Sequence, residues 1–292
     1  MKRTASLLLA FLFACSDSGS AKPKDAGGSD ATSLIGDAGA KPGECGDETR
    51  SVYVVSKENS LYRFDPDTAN FTLVGLLNCE AGADPTSMAV DRKGFAWVRY
   101  SDQRLFRVSV KDASCKATTF AAGQEGFYQF GMGFSTNKTG GGEMLFLADS
   151  NGNGLATLDT ATFKVAKVGP FDGEFQNKKA ELTGTGDGRL FGFFPDFYPA
   201  RMAEIDKSTG AVSGAKVLDG VEATAEWAFA FYGGDFFAFH SKDSGGGLPQ
   251  TETGSIVTRY RPADGSVTKL KQVAFRVVGA GVSTCAPTTS TK

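Results

Sequence analysis

Five segments of the sequence align with one another without gaps, and this internal repeat limits the fold more than any other feature. Each opens with alternating apolar residues, carries Thr or Asp at its eighth position and then resumes as an alternating run. They are LYRFDPDTANF from Leu61, LFRVSVKDASC from Leu105, LATLDTATFKV from Leu155, MAEIDKSTGAV from Met202 and VTRYRPADGSV from Val257. Alternation on both sides of turn-forming residues predicts a β-hairpin in every segment.

A second strand–turn–strand pattern precedes four of these hairpins. The four stretches are TSMAVDRKGFAWVRY from Thr86, FGMGFSTNKTGGGEMLFLAD from Phe130, ELTGTGDGRLFGFFPD from Glu181 and EWAFAFYGGDFFAFH from Glu226. Two hairpins in each unit of roughly 45 to 55 residues predict an all-β fold, a single β-propeller with five four-stranded blades. Small residues suit the crowded innermost strands, and we assign to those strands Ala89, Gly131, Gly133, Gly184 and Ala228.

The two ends of the repeat region complete one blade between them. Residues 51–57 (SVYVVSK) already resemble a second strand, and residues 275–285 (FRVVGAGVSTC) resemble the missing innermost strand. Pairing of these segments would close the ring and hide strand edges that could otherwise pair with other chains. The sequence alone leaves an irregular β-sandwich open as an alternative.

The five cysteines divide into one near the N-terminus and four in the repeat region. An even number of cysteines in an oxidising compartment predicts two disulfides. Ring closure brings Cys45 near Cys285, which leaves Cys79 to pair with Cys115. Four free buried thiols are the alternative.

The N-terminus has the organisation of an export signal. Lys2 and Arg3 precede an apolar stretch, residues 6–14, that is too short to span a bilayer. Residues 12–15 (LFAC) resemble the bacterial lipobox, although Phe13 is bulkier than the usual residue. This resemblance implies that Cys15 is lipidated and becomes the mature N-terminus. An ordinary signal peptide cleaved near Ala14 is the alternative.

Composition divides the chain into segments. Residues 16–44 are rich in Gly, Ala, Ser, Asp and Pro and hold almost no large apolar side chains, which predicts a disordered tether. We therefore expect a signal peptide at 1–14, a lipidated cysteine and tether at 15–44, a propeller at 45–287 and a disordered tail at 288–292. Ser16 after the cysteine resembles the outer-membrane sorting signal, which implies a lipid anchor at the outer membrane of a Gram-negative envelope.

The charge pattern argues against nucleic acid as a partner. The formal net charge is −2, and the basic residues lie singly along the chain, whereas binding to a phosphate backbone needs clustered Lys and Arg. We expect a monomer that contacts the membrane through its anchor and that could meet an envelope protein or glycan.

The turn pattern of the repeats resembles that of a known class of propellers. Residues 202–210 (MAEIDKSTG) follow an L-x-x-I-D-x-x-T-G pattern in which Met202 replaces the first Leu. This pattern is similar to the repeats of quinoprotein-like and surface-layer (YVTN-type) propellers, and the resemblance extends over about residues 51 to 285. It implies a propeller and, by analogy, a binding platform. Because the sequence offers no catalytic set and is shorter than quinone cofactor enzymes of propeller type, we expect a non-enzymatic binding or scaffolding platform without a cofactor.

Two groups of residues are candidates for chemistry beyond binding. Asp149, Asn151 and Asn153 match the start of a calcium loop, but Thr160 stands where a bidentate Glu is needed, so a simple hairpin turn is the other interpretation. Glu181 and Glu226 begin innermost strands and could reach the mouth of a central channel. There they would act as the carboxylates of a carbohydrate-active hydrolase, which is the alternative to a binding platform; solvated carboxylates at strand ends are the other interpretation.

The only histidine, His240, limits the catalytic classes that the chain could belong to. It ends the strand FFAFH, where we expect a solvated side chain. Because there is no second histidine and no G-x-S-x-G motif, a His-pair metal site and a serine hydrolase are disfavoured.

Overall fold

The computed structural model describes residues 45–137, 142–242 and 254–290 of the 292-residue chain. Within them, 20 strands form five four-stranded antiparallel sheets, accompanied by short 3-10 helices at Asp47–Arg50, Gln124–Gly126 and Gly173–Phe175. The predicted signal peptide, Cys15 and the predicted tether lie outside the described residues. None of the described helices is long and apolar enough to cross a membrane.

Each sheet is one blade, in which the first-named strand is the innermost and the last-named strand is the outermost. Blade 1 consists of β20 (Val277–Val282), β1 (Val52–Ser56), β2 (Ser60–Asp65) and β3 (Asn70–Leu76). Blade 2 consists of β4 (Pro85–Val90), β5 (Phe95–Tyr100), β6 (Leu105–Ser109) and β7 (Cys115–Ala117). Blade 3 consists of β8 (Phe130–Thr136), β9 (Glu143–Asp149), β10 (Leu155–Leu158) and β11 (Val165–Gly169).

Blades 4 and 5 follow the same order. Blade 4 consists of β12 (Glu181–Gly184), β13 (Leu190–Phe194), β14 (Arg201–Ile205) and β15 (Val212–Val217). Blade 5 consists of β16 (Trp227–Tyr232), β17 (Asp235–His240), β18 (Ile256–Arg261) and β19 (Ser266–Gln272). Each inner strand contacts the inner strands of both neighbouring blades, so the predicted five-bladed propeller is confirmed.

The ring closes where the sequence predicts. The last strand, β20, pairs with β1 in antiparallel register, with Val52 opposite Val282 and Val54 opposite Ala280. A disulfide joins Cys45 to Cys285 beside this pairing, with 5.6 Å between the Cα atoms. A second disulfide joins Cys79 to Cys115, with 5.2 Å between the Cα atoms. The alternatives of a β-sandwich and of four free thiols are thereby excluded.

The gapless alignment of the five repeats corresponds to one structural position in every blade. The third residue of each repeat lies on the third strand, opposite an aromatic residue of the second strand, which in turn lies opposite a small residue of the inner strand. The aromatic residues are Tyr53, Trp97, Phe146, Phe191 and Phe237. The small residues are Gly281, Ala89, Gly133, Thr183 and Ala230.

The aromatic row explains how neighbouring blades hold together. Each of the five aromatic side chains is buried in an apolar cluster that fills the space between two blades. Burial of apolar surface is the main favourable contribution to such packing, at about 25 cal/mol per Å². Five equivalent interfaces therefore form the core of the domain.

The inner strands approach one another so closely that some positions admit only glycine. A Cβ atom on Gly131 would lie 2.2 Å from the carbonyl oxygen of Ala180, and one on Gly184 would lie 2.1 Å from that of Phe134. These contacts join β8 to β12 backbone against backbone. The predicted placement of small residues on the innermost strands is thus confirmed.

The outer turns of the repeats use the eighth position, which the sequence emphasised, in two blades and a different position in the other three. In three blades the carboxylate at the fifth position accepts backbone N–H groups of the turn, namely Asp65, Asp159 and Asp206. The eighth-position carboxylates accept instead in the other two blades, where the residues are Asp112 and Asp264. Asx turns therefore form in all five hairpins, but from two positions.

Candidate functional site

A large groove lies between blades 2 and 3. It has a volume of about 970 Å³ and opens on the face of the ring where the inner strands end, here called the exit face. Its floor contains the buried rings of Trp97 and Phe134, and the half-buried ring of Phe163 forms part of one wall. A groove of this size matches the usual dimensions of small-molecule sites.

A row of three side chains crosses blade 2 along one side of this groove. Trp97 on β5 lies opposite Arg107 on β6, and Arg107 lies opposite Lys116 on β7. The Arg107 guanidinium carbon lies 3.4 Å from the centre of the Phe95 ring, so the ring holds the cation in place. The Lys116 side chain is exposed at the outer end of the row.

Three carboxylates also line the groove, and each has hydrogen-bond donors close by. Asp91 accepts the backbone N–H groups of Lys93 and Phe95 and, at 3.0 Å, the indole N–H of Trp97. This fixes the Trp97 ring against the groove. Glu48 forms an ion pair with Lys111 at 2.9 Å, and the hydrogen bond from Lys111 lowers the pKa of the Glu48 carboxyl.

The third carboxylate, Glu143, is nearly buried at the base of the exit face. It accepts the backbone N–H of Arg92 at 2.7 Å and the hydroxyl of Thr284 at 2.8 Å. Burial raises the pKa of Glu143 to about 7, because the charged form loses hydration, although these two hydrogen bonds act in the opposite direction. Glu143 therefore exchanges its proton in the neutral range.

The prediction that Glu181 stands at an open channel mouth is wrong. Its side chain is buried and crosses the centre of the ring to accept the Ser87 hydroxyl, at 2.6 Å, and the Met132 backbone N–H. Burial raises its pKa to about 8, only partly opposed by these bonds and by the charge of Arg99. Glu181 is therefore a packed group in the core, because β4 and β8 close over it.

Glu226 lies apart from that network. Its carboxylate forms an ion pair with Lys57 at 2.7 Å on the face where the inner strands begin, and both side chains are partly exposed. Because Glu181 is enclosed and Glu226 pairs with a lysine, the structure does not present the two carboxylates together to a sugar. The neighbouring Trp227 packs under the ammonium group of Lys179.

The expectation that His240 is solvated is also wrong. The side chain is 1% exposed, and its two ring nitrogens contact the Glu222 carbonyl oxygen at 2.8 Å and the Thr258 hydroxyl at 3.0 Å. Burial lowers the pKa of His240, since the charged imidazolium would lose its hydration. His240 thus serves to join β17 to its neighbours.

The residues of the candidate calcium loop lie in the turn between β9 and β10. One carboxylate oxygen of Asp149 accepts the backbone N–H groups of Asn151 and Asn153 and the amide of Asn153. Asp149 thereby organises the hairpin. Among the described residues no group of three or more His, Cys, Asp or Glu side chains could hold a metal ion.

Sequence reasoning did not single out the groove residues, although a partial signal exists. Trp97 and Arg107 both occupy repeat positions, and a cation between apolar residues in LFRVSV indicates a half-buried charge. The alignment could not show that Lys116 on β7 lies opposite Arg107 on β6. The register of these two strands depends on the length of the turn between them.

Comparisons with known proteins give structural likenesses only. No family model matches the chain, and the search of curated proteins gives no significant match. A hydrazine synthase chain from Kuenenia stuttgartiensis is 15% identical with a TM-score of 0.40, over 77% of this chain and 67% of that one. A protein of unknown function from Bacteroides caccae is 13% identical with a TM-score of 0.39, over 76% and 72%.

A chain from the Mitotic Checkpoint Complex structure covers a larger share of both proteins. It is 13% identical with a TM-score of 0.44, over 96% of this chain and 93% of that one. Likenesses at this level carry no argument about what the chain binds. The site must therefore be interpreted from its own geometry.

Proposed function

We propose that this chain is an exported lipoprotein, anchored through Cys15 to the outer membrane, and that its propeller is a non-enzymatic binding platform whose ligand lies in the groove between blades 2 and 3. One observation carries the binding proposal. The groove has a volume of about 970 Å³, and it combines aromatic side chains with two cations, Arg107 and Lys116, whose side chains form no hydrogen bond or ion pair among the described residues. Pockets of this composition are the usual sites of ligand recognition.

Two further observations support binding rather than hydrolysis. The carboxylate that a hydrolase would need at the ring centre, Glu181, is enclosed by inner strands. The three carboxylates that do line the groove have partners within the domain: Asp91 fixes the Trp97 ring, Glu48 pairs with Lys111, and Glu143 accepts from the Arg92 backbone and Thr284. The groove is therefore better suited to binding than to hydrolysis.

The anchor is tested on the full-length chain expressed in a Gram-negative host. We expect the wild-type protein to incorporate labelled palmitate and to sediment with the outer membrane, whereas Cys15→Ser incorporates no label and is lost from that fraction. Ser16→Ala is the control for lipidation. Equal labelling of the wild-type protein and Cys15→Ser would refute the anchor.

The binding site is tested by filling the groove. Ala161 is exposed in the turn between β10 and β11 and lines the groove, and Ala263 occupies the same seventh repeat position in blade 5, away from it. We expect the wild-type protein and Ala263→Trp to capture the same material from an envelope extract of the native organism, and Ala161→Trp to lose it. Capture by Ala161→Trp at the wild-type level would refute the groove as the site.

A further inference from the structure

The five blades provide an internal comparison that separates structural features of the groove from features of binding. Every blade has an aromatic residue at the second-strand position that Trp97 occupies in blade 2, so this ring serves the packing of blades. The two outer positions of the row vary. They are Arg63 and Thr72 in blade 1, Arg107 and Lys116 in blade 2, Thr157 and Ala166 in blade 3, Glu204 and Ser213 in blade 4, and Arg259 and Thr268 in blade 5.

Blade 2 is the exception because it places two cations directly opposite each other. Side chains opposite each other on neighbouring antiparallel strands are about 5 Å apart at Cβ, and like charges there are unfavourable. The corresponding Arg259 of blade 5 lies opposite Thr268 and has Asp235 as an ion-pair partner at 3.7 Å. Packing therefore does not require a cation pair at this position.

The cation pair of blade 2 has no acceptor among the described residues. No hydrogen bond or ion pair from the side chain of Arg107 or Lys116 forms within that part of the chain. The Nε atom of Arg107 is buried without a hydrogen-bond partner, as is that of Arg259 in blade 5, but only Arg107 also faces a second cation. A buried donor left unpaired costs about 1 to 3 kcal/mol. An oxyanion lying between the two side chains would accept these hydrogen bonds and remove the repulsion between the charges.

The carboxylates of the groove do not supply that anion. Asp91 is directed to Trp97 and to its own turn, Glu48 to Lys111, and Glu143 to the Arg92 backbone and Thr284. The groove side chains that remain able to bind a ligand are therefore the cations Arg107 and Lys116. They lie near the half-buried ring of Phe163, whose centre is 6.2 Å from that of Trp97.

We propose that the groove recognises a carboxylate or phosphate group carried on a ring. The oxyanion lies between Arg107 and Lys116, and the ring lies against Phe163. A guanidinium held on the Phe95 ring presents a planar fork that matches both kinds of oxyanion. This inference rests on the proposed function and specifies the ligand chemistry of the same site.

The test is titration of detergent-solubilised full-length protein with phenyl phosphate and with benzoate, using benzamide as the neutral counterpart, followed by calorimetry. We expect saturable binding of both anions, weaker binding at higher salt, and little binding of benzamide. Arg107→Ala should weaken anion binding about tenfold or more, since a hydrogen bond to a charged group is lost. Lys116→Ala, at an exposed position, should weaken it by about threefold.

Arg63→Ala is the matched control, because Arg63 is the same repeat position in blade 1 and lies outside the groove. It should bind both anions as the wild-type protein does. Arg107→Gln retains a polar side chain and shows whether binding is lost through the missing charge or through misfolding. It should lose binding as Arg107→Ala does.

Several outcomes would overturn the inference. Absence of saturable binding by either anion would do so, and so would anion binding that survives Arg107→Ala and Arg107→Gln unchanged. If benzamide binds as tightly as benzoate, the groove takes neutral rings, and the binding function stands while its ligand class does not. Failure of Ala161→Trp to abolish capture from the envelope extract would refute the groove as the binding site, and the ligand class inferred for it would fall with it.

Discussion

The buried Glu181 makes the stability of the propeller depend on pH in a direction opposite to that of most carboxylates. In the unfolded chain this group has its ordinary pKa of 4.5, whereas burial raises its pKa in the folded protein to about 8. Between these values the folded state holds one more proton than the unfolded state. Stability from this group is therefore complete below pH 4.5 and is lost as the pH rises through 8.

The size of the effect follows from the shift. A change from 4.5 to about 8 corresponds to about 5 kcal/mol at about 1.36 kcal/mol per pKa unit, of which about 4 kcal/mol falls between pH 5 and pH 9. Glu181→Gln removes the charge and retains an oxygen that can accept from Ser87 and Met132. The variant should therefore gain stability relative to the wild-type protein by about 4 kcal/mol as the pH rises from 5 to 9.

Urea unfolding followed by circular dichroism at pH 5, 7 and 9 measures this difference. The control is Glu222→Gln, since the hydrogen bond from Lys242 lowers the pKa of that partly exposed carboxyl. The contribution of Glu222 to stability changes only in more acidic solution. The stability of Glu222→Gln should therefore run parallel to that of the wild-type protein from pH 5 to pH 9. A Glu181→Gln profile that also runs parallel would refute the claim that an enclosed, protonated Glu181 occupies the ring centre.

Three other predictions concern the closure of the ring, its centre and the groove. Replacing both cysteines of the Cys45–Cys285 disulfide, which are 240 residues apart, should lower the free energy of unfolding by about 5.5 kcal/mol through loop-closure entropy. The same change at Cys79–Cys115, which are 36 residues apart, should lower it by about 4 kcal/mol. Urea unfolding that gives the reverse order would contradict this prediction. Gly131→Ala should destabilise by about 3 kcal/mol or more, since its Cβ meets the Ala180 carbonyl, whereas Gly82→Ala, with nothing within 4 Å, should be neutral in thermal unfolding. Glu143→Gln should gain about 2 to 3 kcal/mol relative to the wild-type protein from pH 5 to pH 8, since burial raises the pKa of Glu143 to about 7. Unchanged differences between the urea midpoints of the two proteins would argue against it.

The architecture could be predicted because the same strand–turn–strand repeat occurs five times in the sequence. The gapless alignment placed Arg63, Arg107 and their equivalents at one structural position, and the backbone confirms this through their common pairing with an aromatic residue. Ring closure and the Cys45–Cys285 disulfide followed from a blade that lacked one strand. Such inferences depend on periodicity and strand count, which local sequence records directly.

The site was harder to predict because it depends on contacts between segments far apart in sequence. Glu181 begins an inner strand as expected, yet its environment is set by Ser87 and Met132 of two other blades. His240 ends a strand before a polar stretch, but the Glu222 carbonyl and the Thr258 hydroxyl enclose it. Burial at a strand end depends on what the neighbouring blade places above it, and no local pattern gives that information.

In a repeat protein, a candidate site can be found by comparing each repeat with the others. Five copies of one four-stranded unit share the inner small residue and the aromatic residue behind it, because every interface between blades needs both. Where one copy departs from this plan at an energetic cost, packing cannot be the reason for the departure. The opposition of Arg107 and Lys116 is such a case, since the equivalent residues of the other blades avoid facing like charges at that position. We expect an anion that enters the groove to offset this cost, and this links the architecture to the proposed ligand chemistry.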